Sequence, residues 1–408
     1  MKPETLAIHG TTAGNGFGAT VTPIYQTVSY AFDTAAELAD VFAGKTPGYI
    51  YTRIANPTSL ALEKRLADLE NSIGCIATSS GMAAISSTVL SLTRSGDKIL
   101  AATGIFGGTV SLFENILPRF SIETVFANAA NTETFISNID DRTKLIFLET
   151  IPNPSLEIPD IKAIARAAKK FNIPLIVDNT SATPILVKPG DLGADIVIHS
   201  TSKYINGHGT AIGGAIIDTG NYNWRNGVFT DIKNTSKKAG PLAFLSHLRN
   251  LVYRDLGGCP APMNSFIMLQ GLETLPIRMK THCANALKLA NYLNDHTKVS
   301  WVNYPGLPAS DSNQRVADQL NSMAGGLLTF GLGSKELSEK FIDSVKLAKN
   351  AANLGDAKTL VLHPASTIFH EFDEQKRIEM SVTDDMIRVS VGIEHFEDIK
   401  NDFQQAID

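Results

Sequence analysis

The chain of 408 residues has little cysteine: Cys75, Cys259 and Cys283 lie far apart and form no CxxC pair. That spacing argues against a zinc site and a disulfide framework, and it fits a reducing cytoplasm. Long apolar runs are missing too. None approaches the roughly 18 residues a membrane span requires, and the opening Met1-Lys-Pro-Glu-Thr5 lacks the apolar stretch of a secretory signal, so the expected location is cytoplasmic. Charge of one sign is scarce as well. Lys and Arg total 36 against 41 Asp and Glu, a net charge of −5 without like-charge blocks. Such a surface offers no basic field for nucleic acid or an anionic membrane. Internal repeats and low-complexity tracts are absent. Small-molecule chemistry is left as the favoured class, in a chain too long for one ordinary domain.

What is present is an alternation of strand and helix. Over 74–218, short apolar runs at 75–78, 98–102, 123–126, 144–148, 173–177 and 196–198 read as strands, with helices at 83–92, 108–117, 132–139 and 161–170 between them. Runs that are continuous rather than alternating mark a mostly parallel sheet covered on both faces, the core of an α/β fold. Residues 1–50 are turn-rich and read as an N-terminal arm, with one short helix opening at the capping box Thr34-Ala-Ala-Glu37. Gly14, Gly16 and Gly18 have the wrong spacing for a dinucleotide fingerprint. Gly44-Lys45-Thr46 copies the end of a phosphate loop, but Ala39 stands where the first glycine belongs. Tyr51 and Arg53 are two apart in an extended segment, on one side of it. A large α/β domain covers 51–255, of which 219–255 reads as an irregular connection. The C-terminal α+β domain, 256–408, mixes strands at 300–304, 326–330 and 386–391 with helices at 263–278, 283–293, 335–347 and 396–406.

The chemistry is concentrated where strands stop. In Ile196-Val-Ile-His-Ser-Thr-Ser-Lys203 a buried strand ends in small hydroxyl residues and then a lysine. A lone strand-end lysine is ordinarily a snorkelling surface residue. A second buried strand changes that reading, because Ile173-Pro-Leu-Ile-Val-Asp178 ends in a carboxylate. Desolvation lowers a lysine's pKa and yields an amine able to form a Schiff base. A carboxylate on the same sheet edge keeps a pyridine nitrogen protonated. The pair is what pyridoxal 5'-phosphate needs. Ligands of open α/β sheets gather at the carboxyl ends of the strands, where Ser80, Asn153, Asp178 and Lys203 fall. Thr78-Ser-Ser-Gly81-Met82 joins a strand to a helix and leaves first-turn N–H groups open to a phosphate. Arg388 lies inside an otherwise apolar strand and must face a carboxylate, from protein or from substrate.

His199-Ser-Thr-Ser-Lys203-Tyr, Val177-Asp-Asn-Thr180, Ser80-Gly-Met-Ala-Ala84, Tyr51-Thr-Arg53-Ile-Ala-Asn-Pro-Thr58 and Ile387-Arg-Val-Ser-Val-Gly-Ile-Glu-His395 together resemble the pyridoxal-phosphate enzymes of cysteine and methionine metabolism. The resemblance runs over nearly the whole chain and is strongest to the O-acetylhomoserine sulfhydrylases. It implies the fold-type I architecture, with a mostly parallel seven-stranded sheet in the large domain. It also implies roles. Lys203 would hold the cofactor and shuttle protons, and Asp178 would pair with the pyridine nitrogen. Gly81, Met82, Ser200 and Ser202 would bind the phosphate, joined by Tyr51 and Arg53 from a neighbouring subunit. Phe106 would stack on the ring, Asn153 would contact the cofactor, and Arg388, with Asn153 and Ser366, would grip the substrate carboxylate. Dimers sharing active sites, paired into a homotetramer, follow from the same resemblance.

Three positions depart from the family's pattern, the mildest being Ser202 in place of a common threonine. Phe106 stands where a tyrosine is general, so proton transfer assigned to that phenol falls to Lys203, Tyr51 or water. Gly108 stands where methionine γ-lyases carry a cysteine. The implied reaction is γ-replacement: O-acetyl-L-homoserine plus sulfide or methanethiol gives homocysteine or methionine and acetate. Elimination by a methionine or cystathionine γ-lyase, synthesis of cystathionine, or cofactor binding without turnover are the alternatives.

Overall fold

The computed structural model describes residues 1–10 and 18–408. Gly14 and Gly16 lie outside the described residues. Among the described residues the strands form two sheets. The larger contains β1 (Gly74–Thr78), β2 (Lys98–Ala102), β3 (Glu123–Ala127), β4 (Thr143–Glu149), β5 (Leu175–Asp178), β6 (Ile196–His199) and β7 (Gly214–Asp218), in the order β1-β7-β6-β5-β4-β2-β3. Strand β7 runs antiparallel to both neighbours and the remaining pairings are parallel. The expected α/β fold of this type is therefore present.

Before this sheet lie α1 (Pro3–His9), α2 (Ala35–Phe42) and α3 (Pro57–Glu70). The capping box of α2 forms, with Thr34 Oγ1 accepting from the Glu37 N–H and Glu37 Oε2 accepting from the Thr34 N–H, each at 3.2 Å. The arm is less irregular than expected at its start: α1 buries Ala7, whose carbonyl accepts from the Arg65 guanidinium of α3. Helices α4 (Gly81–Leu92), α5 (Gly107–Ser111), α6 (Thr132–Ile136), α7 (Ile161–Lys170) and α8 (Thr183–Leu186) connect successive strands.

Three expectations are corrected. The helix expected at 108–117 passes from α5 into a π-helical turn, Leu112–Ile116. The connection over 219–255 contains α9 (Thr230–Ala239), α10 (Ala243–Leu248) and the short α11 (Arg254–Leu256). They are held because Trp224 stacks on Phe244 with centroids 4.8 Å apart, a contact between residues too distant in sequence to read. The two helices expected at 263–278 and 283–293 are one, α12 (Pro262–Asn294), which tolerates Pro276 in its interior. Tertiary packing on both sides outweighs the missing hydrogen bond.

Beyond α12, β8 (Trp301–Asn303), β9 (Leu327–Gly331), β10 (Lys349–Asn350), β11 (Leu360–Leu362) and β12 (Met386–Ser390) form the second sheet in the order β10-β11-β12-β9-β8, flanked by four helices ending with Phe396–Ile407. Alternation along the large sheet divides it between two cores. Ile76, Ile196, Ile198 and Ile216 face the one shared with α4 and α7. Ala77, Val197, Ala215 and Ile217 face the other, which includes Leu62, Leu66 and Leu69 of α3 and continues through α12 into Phe330 and Val389 of the second sheet. Each fully buried leucine contributes about 2 kcal/mol, so this second core clamps the strand ends against the smaller sheet. No helix among the described residues is long and apolar enough to cross a membrane.

Candidate active site

The carboxyl ends of β1, β4, β5 and β6 open into a cavity of about 760 Å³. Lys203 and Asp178 both line it, as do Gly81, Met82, Ser200 and Ser202. Parallel pairing sets Glu149 opposite Asp178 and Asp178 opposite Ile198, so chain direction alone brings these groups to one edge. Strand β7 starts at this same edge. A Cβ on Gly214 would come 2.2 Å from the Ser80 carbonyl oxygen, which is why the chain returns there as Gly213-Gly214.

Lys203 Nζ donates to Asn353 Oδ1 at 2.8 Å. Burial, reinforced by the Arg388 charge, lowers its pKa to about 8, the direction an amine nucleophile or base requires. Asp178 Oδ1 accepts from the Thr180 N–H at 2.8 Å, and burial raises its pKa. Beside it is Glu149, also raised, by burial first and by the Asp178 charge second. Glu149 Oε1 accepts from the Phe106 N–H at 2.9 Å and Oε2 from the Asn153 N–H at 3.2 Å. The same acid thus fixes the backbone of two lining residues.

Arg388 reaches the cavity from the second sheet, 4% exposed, between Leu362 and Thr329 across β12. Its Nη1 donates to Asn153 Oδ1 at 3.2 Å and its Nη2 to the Asn353 carbonyl at 2.8 Å, while Nε has no partner. It forms no ion pair among the described residues, and burial lowers its pKa to about 10. A desolvated guanidinium without a carboxylate is a receptor for one. Phe106, 38% exposed, forms a wall of the cavity. A Cβ on Gly108 would stand 2.6 Å from its Cε1, so the ring occupies the space of a side chain at 108.

Three residues singled out in the sequence stand elsewhere. Tyr51 and Arg53 are exposed and outside the lining of their own chain's cavity; the Arg53 guanidinium lies 5.4 Å from the Tyr51 ring centroid and donates to the Arg254 carbonyl. Ser366 is exposed and also outside the lining, its Oγ 2.8 Å from His363 Nδ1; Ile368 lines the cavity instead. Sequence reading passed over Glu149 and Asn353. Glu149 carried the signal already used for Asp178, an acid closing an apolar run, whereas Asn353 sits in a loop with no pattern to mark it.

The model of the family described as "Cys/Met metabolism PLP-dependent enzyme" matches residues 4–408. The chain belongs to that family. The homocysteine synthase of Schizosaccharomyces pombe is 41% identical, covering 99% of this chain and 98% of that one. The O-acetyl-L-homoserine sulfhydrylase of Leptospira meyeri is 39% identical over 100% of this chain and 97% of its own. A crystal structure from Campylobacter jejuni, described as an O-acetylhomoserine (thiol)-lyase with N'-pyridoxyl-lysine-5'-monophosphate, superposes with a TM-score of 0.94 at 36% identity, covering 100% of both chains. The cofactor of this PLP-dependent enzyme is pyridoxal 5'-phosphate. Its residues fit that group. Helix α4 begins at the cavity with Ser80 as its N-cap, and a Cβ on Gly81 would lie 2.7 Å from Ser200 Cβ, so a larger residue would fill the cradle between them. An amine, a carboxyl group and an aromatic wall line the same space.

Proposed function

We propose that the enzyme catalyses γ-replacement on O-acetyl-L-homoserine, taking sulfide, or methanethiol, to L-homocysteine, or L-methionine, and acetate. The observation that carries this reading is the convergence of Lys203, Asp178 and an ion-pair-free Arg388 on one cavity, in a chain about 40% identical to named homocysteine synthases and sulfhydrylases.

Lys203 would hold the cofactor through its amine and Asp178 through the pyridine nitrogen. The N–H groups of Gly81 and Met82, with Ser200 and Ser202, would take the phosphate; Phe106 and Asn153 would flank the ring. When bound, the cofactor supplies an electron sink that acidifies hydrogens at Cα and then Cβ of an amino acid joined to it. Arg388 and Asn153 take the substrate carboxylate and fix the direction of the Cα–H bond. Lys203 Nζ removes the Cα proton, which its lowered pKa permits near neutral pH. Having passed the Cα proton on to the bound cofactor, the same amine would be neutral again and would take the Cβ proton, since Phe106 has no hydroxyl. Asn353 Oδ1 holds that amine between transfers. Acetate leaves from Cγ as the Cβ proton is removed; the thiol sulfur then adds to Cγ, its proton balancing the acetate released, and the Lys203 amine would return protons to Cβ and Cα.

Tyr51 and Arg53, exposed in their own chain, fit an arm that completes the phosphate site of a second copy, with Tyr51 as a further proton carrier. This supports dimers sharing active sites; their pairing into a homotetramer is what the family resemblance implies. The domain division into 1–50, 51–255 and 256–408 is supported by a seven-stranded sheet confined to 74–218 and a five-stranded one confined to 301–390.

Assay of O-acetylhomoserine against O-succinylhomoserine, each with sulfide and with methanethiol, tests the reading. Retained amine in the product with the acetyl ester preferred is expected. Keto acid and ammonia would replace the transferase with a lyase, and absence of Cα-proton exchange would leave a binding protein. Borohydride should fix the cofactor on the peptide containing Lys203, and Lys203→Ala should abolish the visible band.

A further inference from the structure

Arg278 is a buried cation that the reaction does not use. It sits on α12, 4% exposed. Burial lowers its pKa to about 10, and it forms no ion pair among the described residues. A desolvated guanidinium is tolerated when its donors are engaged. Here Nη1 donates to the Tyr204 carbonyl at 2.6 Å, Nη2 to the carbonyls of Ile205 at 3.3 Å and Gly271 at 2.7 Å, and Nε to Thr274 Oγ1 at 3.0 Å. Tyr204 and Ile205 directly follow Lys203. The turn is also pressed against the helix: a Cβ on Gly271 would lie 2.3 Å from the Ile205 oxygen, and one on Gly207 2.2 Å from Arg278 Nη1.

The same helical face continues to the carboxylate grip. Positions 271, 278, 282 and 285 are separated by seven, four and three residues, which aligns them on one side of α12. His282 Nδ1 donates to the Val391 carbonyl at 2.7 Å, and its ring meets Tyr204 edge-on at 5.2 Å. Asn285 Nδ2 donates to the carbonyls of Gly392 at 3.1 Å and Glu394 at 2.9 Å. Val391 and Gly392 continue the strand that carries Arg388.

We propose that this face of α12 sets the separation between the Lys203 amine and the Arg388 guanidinium, with Arg278 as the positioning residue for Lys203. The inference rests on Lys203 being the cofactor lysine. A fork of donors holds two consecutive carbonyls and so fixes the direction in which the preceding side chain leaves the backbone. A lysine head, a point charge on a flexible stem, lacks the planar fork that holds both in a fixed direction.

The test compares Arg278→Lys and Thr274→Val with Lys280→Ala, a control that removes an ion pair with Glu4 from the exposed side of the same helix. Each is read by amide hydrogen exchange of residues 201–207 in the cofactor-free protein, by the pH midpoint of the visible band, and by kcat and KM for O-acetylhomoserine. In Arg278→Lys the turn should exchange about tenfold faster and the midpoint should move, with kcat down about tenfold at nearly constant KM. Thr274→Val, which frees Nε and removes the long 3.4 Å bond from Thr274 Oγ1 to the Gly271 carbonyl, should move the same quantities by about two- to threefold, and Lys280→Ala should move none. Should Arg278→Lys fail to fold, Thr274→Val decides. Wild-type exchange and midpoint in the deciding variant, or equal changes in Lys280→Ala, overturn the inference. Borohydride label on a peptide lacking Lys203 would instead overturn the functional reading beneath it.

Discussion

Two pairs of buried acids occupy opposite edges of the same sheet. Glu149 and Asp178 close β4 and β5 at the cavity; Asp195 precedes β6, and Asp218 ends β7 against Ile196, at the far edge. Burial raises all four, Asp195 and Asp218 to about 7. Their donors differ. At the far edge Asp218 accepts from the Gly220 N–H at 3.0 Å and from Trp224 Nε1 at 2.9 Å, and Asp195 accepts from the Leu175 N–H at 2.7 Å. These acids staple loops to the sheet. Among the described residues Asp178 takes its donors from Thr180 alone, and it fronts a cavity. Desolvation alone does not make an acid functional; an oxygen left open beside a cavity does.

The comparison breaks most visibly at Asp178. Asp178→Asn should lower kcat/KM on the order of 10²-fold or more, since an amide cannot stabilise a pyridinium, whereas Asp218→Asn should leave it within about twofold. Equal losses would refute the contrast. Next, Glu149→Ala strands the N–H groups of Phe106 and Asn153 and should lower the free energy of urea unfolding by about 2–4 kcal/mol.

Smaller still is a pH slope. Asp195 and Asp218 titrate near 3.8 when unfolded and about 7 when folded. Between those values the native state holds more protons, so stability falls as pH rises, by at most about 1.4 kcal/mol per pH unit for each group. Urea midpoints of the cofactor-free protein from pH 4 to 7 measure this, and Asp218→Asn should flatten the slope. Lys203 has the opposite sign: lowered from 10.5 to about 8, it makes stability rise with pH across that interval. The smallest effect should be Trp224→Phe, about 1 kcal/mol in the same assay, growing above pH 7 where ionised Asp218 needs its indole donor.

Much of the site could be read before the fold. An apolar run that ends in an acid or a lysine announces a parallel strand and what it delivers, which located Asp178 and Lys203. Glycine after Ser80 announced the opening of α4. Strand β7 was not read, because its glycines and short length resemble a turn until β1 and β6 are seen on either side. Helix α12 looked like two helices because the apolar pattern lapses over Met279-Lys-Thr-His282; the core it shares with α3 and the second sheet keeps it whole. Asn353 reaches Lys203 from 150 residues away, and no local pattern reports such a contact. The positions of Tyr51 and Ser366 depend on how an arm and a loop lie, which composition does not encode.

The ring of Phe106, lying where a substituent of residue 108 would project, has an evolutionary corollary. A thiol cannot be acquired at 108 while the benzyl group stays in place, yet exchanging Phe106 for something slimmer makes room for it. Any side chain gained at 108 would therefore require the ring of residue 106 to turn aside or be exchanged, so the two positions are free to change only in concert.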